Sequence, residues 1–338
     1  MTPPLRLGYK ASAEQFGPRE LLDFAVAAET GGFDSVFVSD HFQPWRFSDG
    51  HAPFAFAWLG AVGERTSHVL LGTSVVTPTF RYNPAIVAQA FGTLGSLFPD
   101  RMILGLGSGE HLNEGALGLR WPDIRERFGR LREAVELIRR LLTEDVVTFD
   151  GEYYHTRKAR IYDRPVQPVP IYVGAGGPQV AKFAGRTADG LICTSGKGME
   201  LYSEQLLPSF TDGARESGRD PEELDRMIEV KVSFDTERKR ALEDTKIWAA
   251  LSLSAEQKAG IDDPREMERL ARTVEEVAYK RWLVSDDPDE HIEQLRPYVE
   301  LGFTHLVFHS PTEAQSRFIE LYCAQVLPRI RERWGPKA

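Results

Sequence analysis

The chain has 338 residues, of which 42% are hydrophobic and 27% charged, an ordinary balance for a globular protein. Its formal net charge of −9 and its isoelectric point near 5.5 argue against a general nucleic-acid or membrane-surface binder. The two cysteines lack metal-ligand spacing, and the chain has neither a signal-peptide pattern nor the roughly 18-residue apolar stretch that spans a bilayer, so we expect a cytoplasmic protein without a metal site.

Short apolar runs alternate with amphipathic helical patterns along the chain. Eight runs are typical of buried strands: Leu5–Tyr9, Ser35–Ser39, Val69–Val76, Met102–Leu106, Ile171–Val173, Gly190–Cys193, Ile228–Phe234 and His305–Phe308. Helical patterns between them include Arg19–Thr30, Pro84–Leu97, Arg125–Leu142 and Pro288–Leu301. Repeated strand–helix units imply parallel strands, and eight of them favour an α/β fold of the closed (β/α)8 TIM-barrel type. An open doubly wound sheet is the alternative.

Two segments fit this repeat poorly and are interpreted as insertions. One lies around residues 144–170 and contains a Tyr-rich hairpin at 149–154, and the other lies around residues 248–279 and is mostly helical. With no convincing linker in the sequence, we expect one barrel domain over residues 1–338.

The most informative motif is the strand Val36–Val38, which ends at once in Asp40 and His41, with Trp45 close behind. A parallel barrel carries its active site at the carboxyl ends of its strands, where this carboxylate, imidazole and indole are expected to lie. The alternative is that Asp40 caps a helix and His41 is a satisfied rim histidine.

Other strand ends carry ionisable residues that turn chemistry explains poorly: Glu14, Glu110, Lys197 and His309. His41 and Glu110 form a candidate acid/base pair, because an imidazole titrates near neutrality and a carboxyl in a dry pocket can hold a proton. A helix cap is the alternative for Glu110.

Glycines and basic residues at other strand ends suggest anion binding. Gly176 and Gly177 follow a strand and precede the helical pattern 179–185, where backbone N–H groups can bind phosphate, although a plain turn is the alternative. Thr194 and Lys197, with Lys258 and Arg281 from the later insertion, are a candidate anion site. The sequence alone could not bring Lys258 and Arg281 to Lys197.

Six long stretches resemble the luciferase-like flavin and deazaflavin oxidoreductases, and within them the F420-dependent sugar 6-phosphate dehydrogenases. These stretches cover nearly the whole chain: residues 7–16, 38–46, 72–84, 190–197, 252–258 and 305–309. The resemblance implies a (β/α)8 barrel, a homodimer, the deazaflavin coenzyme F420, and hydride transfer from C1 of glucose 6-phosphate or another sugar 6-phosphate to give the lactone.

The resemblance also implies residue roles. His41 matches the base that deprotonates the C1 hydroxyl, Glu110 the group that protonates or stabilises the reduced ring, and Trp45 a supporting catalytic residue. Cofactor-binding positions are Asp40, Ser74, Val75, Thr77, Ser108, Gly109, Asn113, Gly176, Gly177, Gln179 and Val180, with a cis peptide bond at Ser74–Val75. Substrate-binding positions are Glu14, Thr194, Lys197, Lys258 and Arg281.

Three other functions remain as alternatives. They are a flavin-dependent monooxygenase, a deazaflavin alcohol dehydrogenase that acts on a non-phosphorylated substrate, and a non-catalytic cofactor-binding barrel. Lys197, Lys258 and Arg281 argue against the first two, and the pair His41 and Glu110 argues against the third.

Overall fold

A computed structural model describes residues 3–335, so the two ends of the predicted 1–338 domain lie outside the described residues. Nine strands form one parallel sheet in the order β10-β9-β11-β1-β2-β3-β4-β7-β8, and β8 also pairs with β9. This last pairing closes the sheet, so the predicted (β/α)8 barrel is confirmed. The strand bounds are β1 Arg6–Ala11, β2 Ser35–Val38, β3 Leu70–Thr73, β4 Met102–Leu106, β5 Val147–Asp150, β6 His155–Ala159, β7 Ile171–Gly174, β8 Gly190–Thr194, β9 Asp225–Phe234, β10 Leu283–Ser285 and β11 His305–His309.

Three strands differ from the prediction. β3 ends at Thr73, after which the Ser74–Val75 peptide bond is cis, as the resemblance implies, and Val76 keeps only an isolated bridge to β4. β9 begins three residues early at Asp225, because the carboxylate of that residue is satisfied inside the barrel by Tyr172 and Thr304. β10 was not predicted, since three residues leave almost no periodicity to detect; it pairs with the far end of β9.

The α-helices surround the barrel and bury their apolar faces against it. Their bounds are α1 Pro18–Thr30, α2 Ala55–Arg65, α3 Pro84–Leu97, α4 His111–Glu114, α5 Ile124–Thr143, α6 Pro178–Thr187, α7 Leu207–Glu216, α8 Arg238–Asp244, α9 Ala255–Lys258, α10 Pro264–Ala271, α11 Pro288–Glu300, α12 Gln315–Leu321 and α13 Leu327–Trp334. Leu131, Val135, Ile138 and Leu142 form the buried stripe of α5, as its spacing predicts. Within residues 3–335, no helix is both long and apolar enough to cross a membrane.

The two segments interpreted as insertions contain secondary structure of their own. The first contains the antiparallel hairpin of β5 and β6, with its turn at residues 151–154 as predicted. The second is mostly helical, and combines α9 and α10 with the 3₁₀ segments Thr245–Ser252 and Arg272–Arg281. It has its own small apolar cluster, in which Leu253, Ile261 and Met267 pack with Leu112 and partly buried Trp45. The second insertion is therefore packed onto the face of the barrel that carries Trp45.

Candidate active site

A cleft of about 610 Å³ lies at the carboxyl ends of the barrel strands. It brings together 16 of the 19 predicted site residues: Glu14, Asp40, His41, Trp45, Ser74, Val75, Thr77, Ser108, Gly109, Glu110, Asn113, Gly176, Thr194, Lys197, Lys258 and Arg281. The other three, Gly177, Gln179 and Val180, are not among the residues that line it, and lie at the beginning of α6 directly after Gly176.

His41 is held from one side by Glu14. The imidazole Nε2 lies 3.1 Å from Glu14 Oε1, and Ser39 Oγ donates a hydrogen bond of 2.6 Å to Glu14 Oε2. Burial alone would raise the pKa of Glu14, but the neighbouring charges of His41 and Lys10 outweigh it and lower that pKa. Glu14 is therefore an ionised, fixed acceptor for the imidazole of His41.

Asn113 connects the other side of His41 to Glu110. Its Nδ2 lies 3.3 Å from His41 Nδ1 and 3.4 Å from Glu110 Oε2, while its Oδ1 accepts backbone hydrogen bonds from Phe42 and Gln43. These two backbone donors fix the amide orientation, so Nδ2 faces the imidazole as a donor. His41 Nδ1 is then the acceptor nitrogen, and the Nε2 proton points to Glu14.

Glu110 holds its proton more firmly than an ordinary carboxylic acid. Withdrawal from bulk water raises its pKa, and the opposing charges of His41 and Lys258 do not cancel this effect, although 41% of the side chain is exposed to the cleft. Glu110 directly precedes α4 but accepts no capping hydrogen bond from it. The helix-cap interpretation of Glu110 is therefore wrong.

Asp40 lines the cleft, and its carboxylate is held in a buried ion pair. Its Oδ2 lies 2.5 Å from Arg81 Nη2, its Oδ1 accepts a hydrogen bond of 3.2 Å from Tyr82, and its side chain is 1% exposed. Glu114 belongs to the same cluster, 3.5 Å from Arg81 Nη1. The carboxylate of Asp40 therefore fixes the chain just before His41, and its contact with a cofactor stays a prediction.

The second insertion delivers Lys258 to the cleft, which the sequence alone could not establish. Lys258 Nζ lies 4.8 Å from the centre of the Trp45 indole, a cation–π contact. Burial lowers the pKa of Lys258, and the charges of Arg281 and Lys197 act in the same direction. One face of Trp45 is therefore occupied by a cation from the insertion.

Arg281 and Lys197 meet at the loop that follows β8. Arg281 donates hydrogen bonds to the carbonyls of Gly196 (2.6 Å) and Leu251 (3.0 Å), which fixes its guanidinium between that loop and the insertion. Burial, and then the charge of Arg281, lower the pKa of Lys197. In the described part of the chain, neither these two residues nor Lys258 has a carboxylate within 4 Å, so the cations are available to an anion.

Sequence reasoning missed a charged group inside the barrel. Lys10 Nζ lies 3.0 Å from Glu229 Oε2 and donates to Ser74 O (2.8 Å) and Ser74 Oγ (2.6 Å), beside the cis peptide bond. Lys231, two residues after Glu229, also lines the cleft. The sequence does contain a signal for Glu229 and Lys231. Two charged residues that are two positions apart in a strand lie on the same face, opposite the apolar residues that alternate with them.

The family model for the luciferase-like monooxygenases matches residues 3–305. The chain belongs to this family. A protein of Nakamurella multipartita is 62% identical over 334 residues, 98% of each chain, and one of Intrasporangium calvum is 61% identical over 97% of this chain and 99% of the other. Both are named F420-dependent glucose-6-phosphate dehydrogenase.

Solved structures of other proteins share the fold. An F420-dependent secondary alcohol dehydrogenase in complex with an F420-acetone adduct superposes with a TM-score of 0.92 and 33% identity, over 97% of this chain and 99% of the other. The coenzyme F420-dependent tetrahydromethanopterin reductase of Methanopyrus kandleri is 24% identical, with a TM-score of 0.79 over 96% of this chain and 99% of its own, and indicates the common barrel.

Proposed function

We propose that this chain is an F420-dependent glucose-6-phosphate dehydrogenase, which oxidises C1 of the sugar phosphate and releases the lactone. The observation that carries the proposal is that one cleft holds both an acid/base group, His41 with Glu14 and Glu110, and cations without carboxylate partners. A sugar phosphate needs both, since a proton must leave its C1 hydroxyl and its phosphate must be neutralised.

The residues of the cleft fit a phosphate-bearing deazaflavin. A methyl group added at Gly177 would meet no atom within 4 Å, and one added at Gly176 would meet only Lys197 Nζ at 3.8 Å, so there is open space at the beginning of α6. The first backbone N–H groups of a helix can bind phosphate, and in α6 the first donors are those of Gln179 and Val180, because Pro178 has no N–H. Gly176, Gly177, Gln179 and Val180 would hold the cofactor phosphate, and Val75, beside the cis peptide bond, would support the ring.

The chemistry that F420 supplies when bound is the acceptance of a hydride. His41 takes the proton of the C1 hydroxyl at Nδ1, which requires the substrate hydroxyl to displace the amide of Asn113. Glu14 stabilises the imidazolium that results, because its ionised carboxylate already faces Nε2 at 3.1 Å. Burial raises the pKa of Glu110, which favours the protonated form that can donate to negative charge developing in the cleft.

The substrate end of the proposal consists of Thr194, Lys197, Lys258 and Arg281. The three cations come from two distant parts of the sequence, and a dianionic phosphate is the ligand that neutralises them best. Trp45 is proposed to support the reacting complex through its contact with Lys258. A non-phosphorylated alcohol, the substrate in one of the alternative functions, would leave these three cations without an anion.

The homodimer and the cytoplasmic location expected from the sequence remain part of the proposal. Light scattering after size-exclusion chromatography tests the first, and fractionation of the source cells tests the second.

The proposed activity is tested by mixing the purified protein with oxidised F420 and following its visible absorbance. Glucose 6-phosphate is added first, then mannose 6-phosphate, fructose 6-phosphate, free glucose and a simple secondary alcohol in separate runs. We expect bleaching with glucose 6-phosphate and none with free glucose. Equal rates on glucose and its phosphate, or bleaching only with the secondary alcohol, would refute the proposal. Binding of F420 without bleaching by any substrate would support the non-catalytic barrel.

A further inference from the structure

Lys231 lies in the wall of the cleft and, with Lys10, is one of two lysines there that no prediction included. It is 7% exposed and sits on β9, on the same face as Glu229 and Met227. Met227 belongs to the apolar cluster that fills the barrel interior, so Lys231 points into the barrel, above that cluster. A lysine is rarely buried to this extent without a reason, because removing an ammonium group from water is costly.

The ammonium group of Lys231 is directed at the loop that follows β8. Its Nζ donates a hydrogen bond of 3.0 Å to Ser195 O, and its backbone N–H donates to Ser195 Oγ at 2.8 Å. Arg281 donates to the next carbonyl, that of Gly196, at 2.6 Å. The two cations therefore contact consecutive peptide carbonyls of the loop between Thr194 and Lys197.

Within the described residues, Lys231 has no carboxylate partner within 4 Å. The nearest acid is Glu229, which is already paired with Lys10 at 3.0 Å and lies 3.5 Å from His309 Nδ1. The ammonium group has three donors, of which Ser195 O takes one. Lys231 thus resembles Lys197, Lys258 and Arg281 in lining the cleft without a carboxylate within 4 Å, but it is the most deeply buried of the four.

We propose that Lys231 is a fourth cationic ligand of the phosphate group of the substrate, an inference that rests on the proposed function. Its position beside Arg281 on the loop of Thr194 and Lys197 places it next to the residues proposed to bind that phosphate. It would bind a dianion more strongly than a monoanion or a neutral sugar, and so adds to the preference for phosphorylated substrates.

This arrangement makes substrate binding depend on pH. Burial lowers the pKa of Lys231 to about 8, against the charge of Glu229, which raises it. The charges of Arg281, Lys197 and Lys10 lower this pKa further, and His309 also faces the ammonium group. A bound dianion raises this pKa again, so binding takes up a proton above pH 8 and affinity falls as the pH rises. Below that pH Lys231 is already protonated, and the full affinity is present.

The test measures the dissociation constant of glucose 6-phosphate by calorimetry, without oxidised F420, at pH 7 and pH 9. For the wild-type protein we expect a fall in affinity above pH 8 of up to about tenfold per pH unit. Lys231→Gln should weaken binding at pH 7 at least tenfold and remove most of the alkaline fall. Lys231→Arg should keep binding at pH 7 within about threefold and also flatten the alkaline fall, because a guanidinium does not titrate there.

The matched control is Lys239→Gln, which removes an exposed lysine from α8 and should leave both values within twofold of wild type. The affinity for F420 and the melting temperature of each variant report whether the fold is intact. An intact Lys231→Gln protein that binds glucose 6-phosphate within twofold of wild type at pH 7 would overturn the proposal.

If Lys231→Gln does not fold, proton uptake by the wild-type protein on binding the substrate still tests the proposal. Titration with glucose 6-phosphate at pH 8.5 in two buffers of different ionisation enthalpy gives the number of protons taken up, which we expect to be about three quarters for a pKa of about 8. An uptake of zero would overturn the proposal. The proposed function is tested by a different measurement. If the wild-type protein binds glucose 6-phosphate through Lys231 but does not bleach F420, the proposed function is wrong and the role of Lys231 stands.

Discussion

Arg81→Ala removes the cation between the buried carboxylates of Asp40 and Glu114. The side chains of the three residues are 5%, 1% and 0% exposed, with Arg81 at 2.5 Å from Asp40 and 3.5 Å from Glu114. Removing one partner of a buried pair leaves an uncompensated charge and costs about 3–5 kcal/mol of unfolding free energy. Burial already raises the pKa of Glu114, so the site has little capacity to tolerate a second unpaired carboxylate.

For a chain of 338 residues, the entropy of unfolding is about 0.7 kcal/mol/K, so this loss corresponds to a fall of about 4–7 °C in melting temperature. Scanning calorimetry at neutral pH measures it directly. The matched control is Arg65→Ala, which breaks a surface pair with Asp23 at 3.4 Å and exposures of 46% and 59%. That pair should be worth less than about 1 kcal/mol. Equal melting temperatures for the two variants would refute the reasoning.

Three further predictions concern the cleft. His41→Ala should lower kcat roughly 10²–10⁴-fold if His41 is the base, and a change below threefold would remove it from that role. Lys258→Ala should mainly raise KM for glucose 6-phosphate, and an unchanged KM would place Lys258 outside the site. Glu268 has a pKa of about 2 because its carboxylate accepts backbone hydrogen bonds from Ser48 and Phe47. The loss of unfolding free energy caused by Glu268→Gln should therefore have its full value above about pH 4.5 and disappear as the pH falls through about 2. Urea unfolding measures this loss, and an equal loss at pH 2 and pH 6 would contradict the prediction.

The barrel was predictable because its strands are buried on both faces and read as continuous apolar runs. β2 and β4 were predicted to within one residue for this reason, and α3 is bounded as its first-turn proline indicates. β10 was missed because three residues carry too little pattern, and its pairing partner is the carboxyl end of β9, which is distant in the sequence. Short elements are decided by tertiary contacts that a local pattern does not contain.

The candidate site was predictable where a motif directly follows a strand, and less so elsewhere. His41 and Glu110 were found from strand ends, while the position of Lys258 depended on how the second insertion folds. The ion pair of Asp40 was not predictable for the same reason, because its partner Arg81 lies 41 residues away and nothing local indicates the contact. Lys231 was overlooked because a lysine within a strand was read as part of an apolar run.

The contact of Glu268 with the loop of residues 47–48 joins α10 to the segment that follows His41 and Trp45. Lys258 lies in the same insertion as α10, and Arg281 ends the 3₁₀ segment that follows it. Two of the cations proposed for the sugar phosphate, Lys258 and Arg281, are thus supplied by a module outside the barrel repeat, whereas the acid/base pair belongs to the barrel itself. Replacement of the module at 245–281 can therefore change the substrate while the acid/base pair of the barrel stays the same. The replacement must keep a carboxylate at the position of Glu268, because that group joins the module to the loop of residues 47–48.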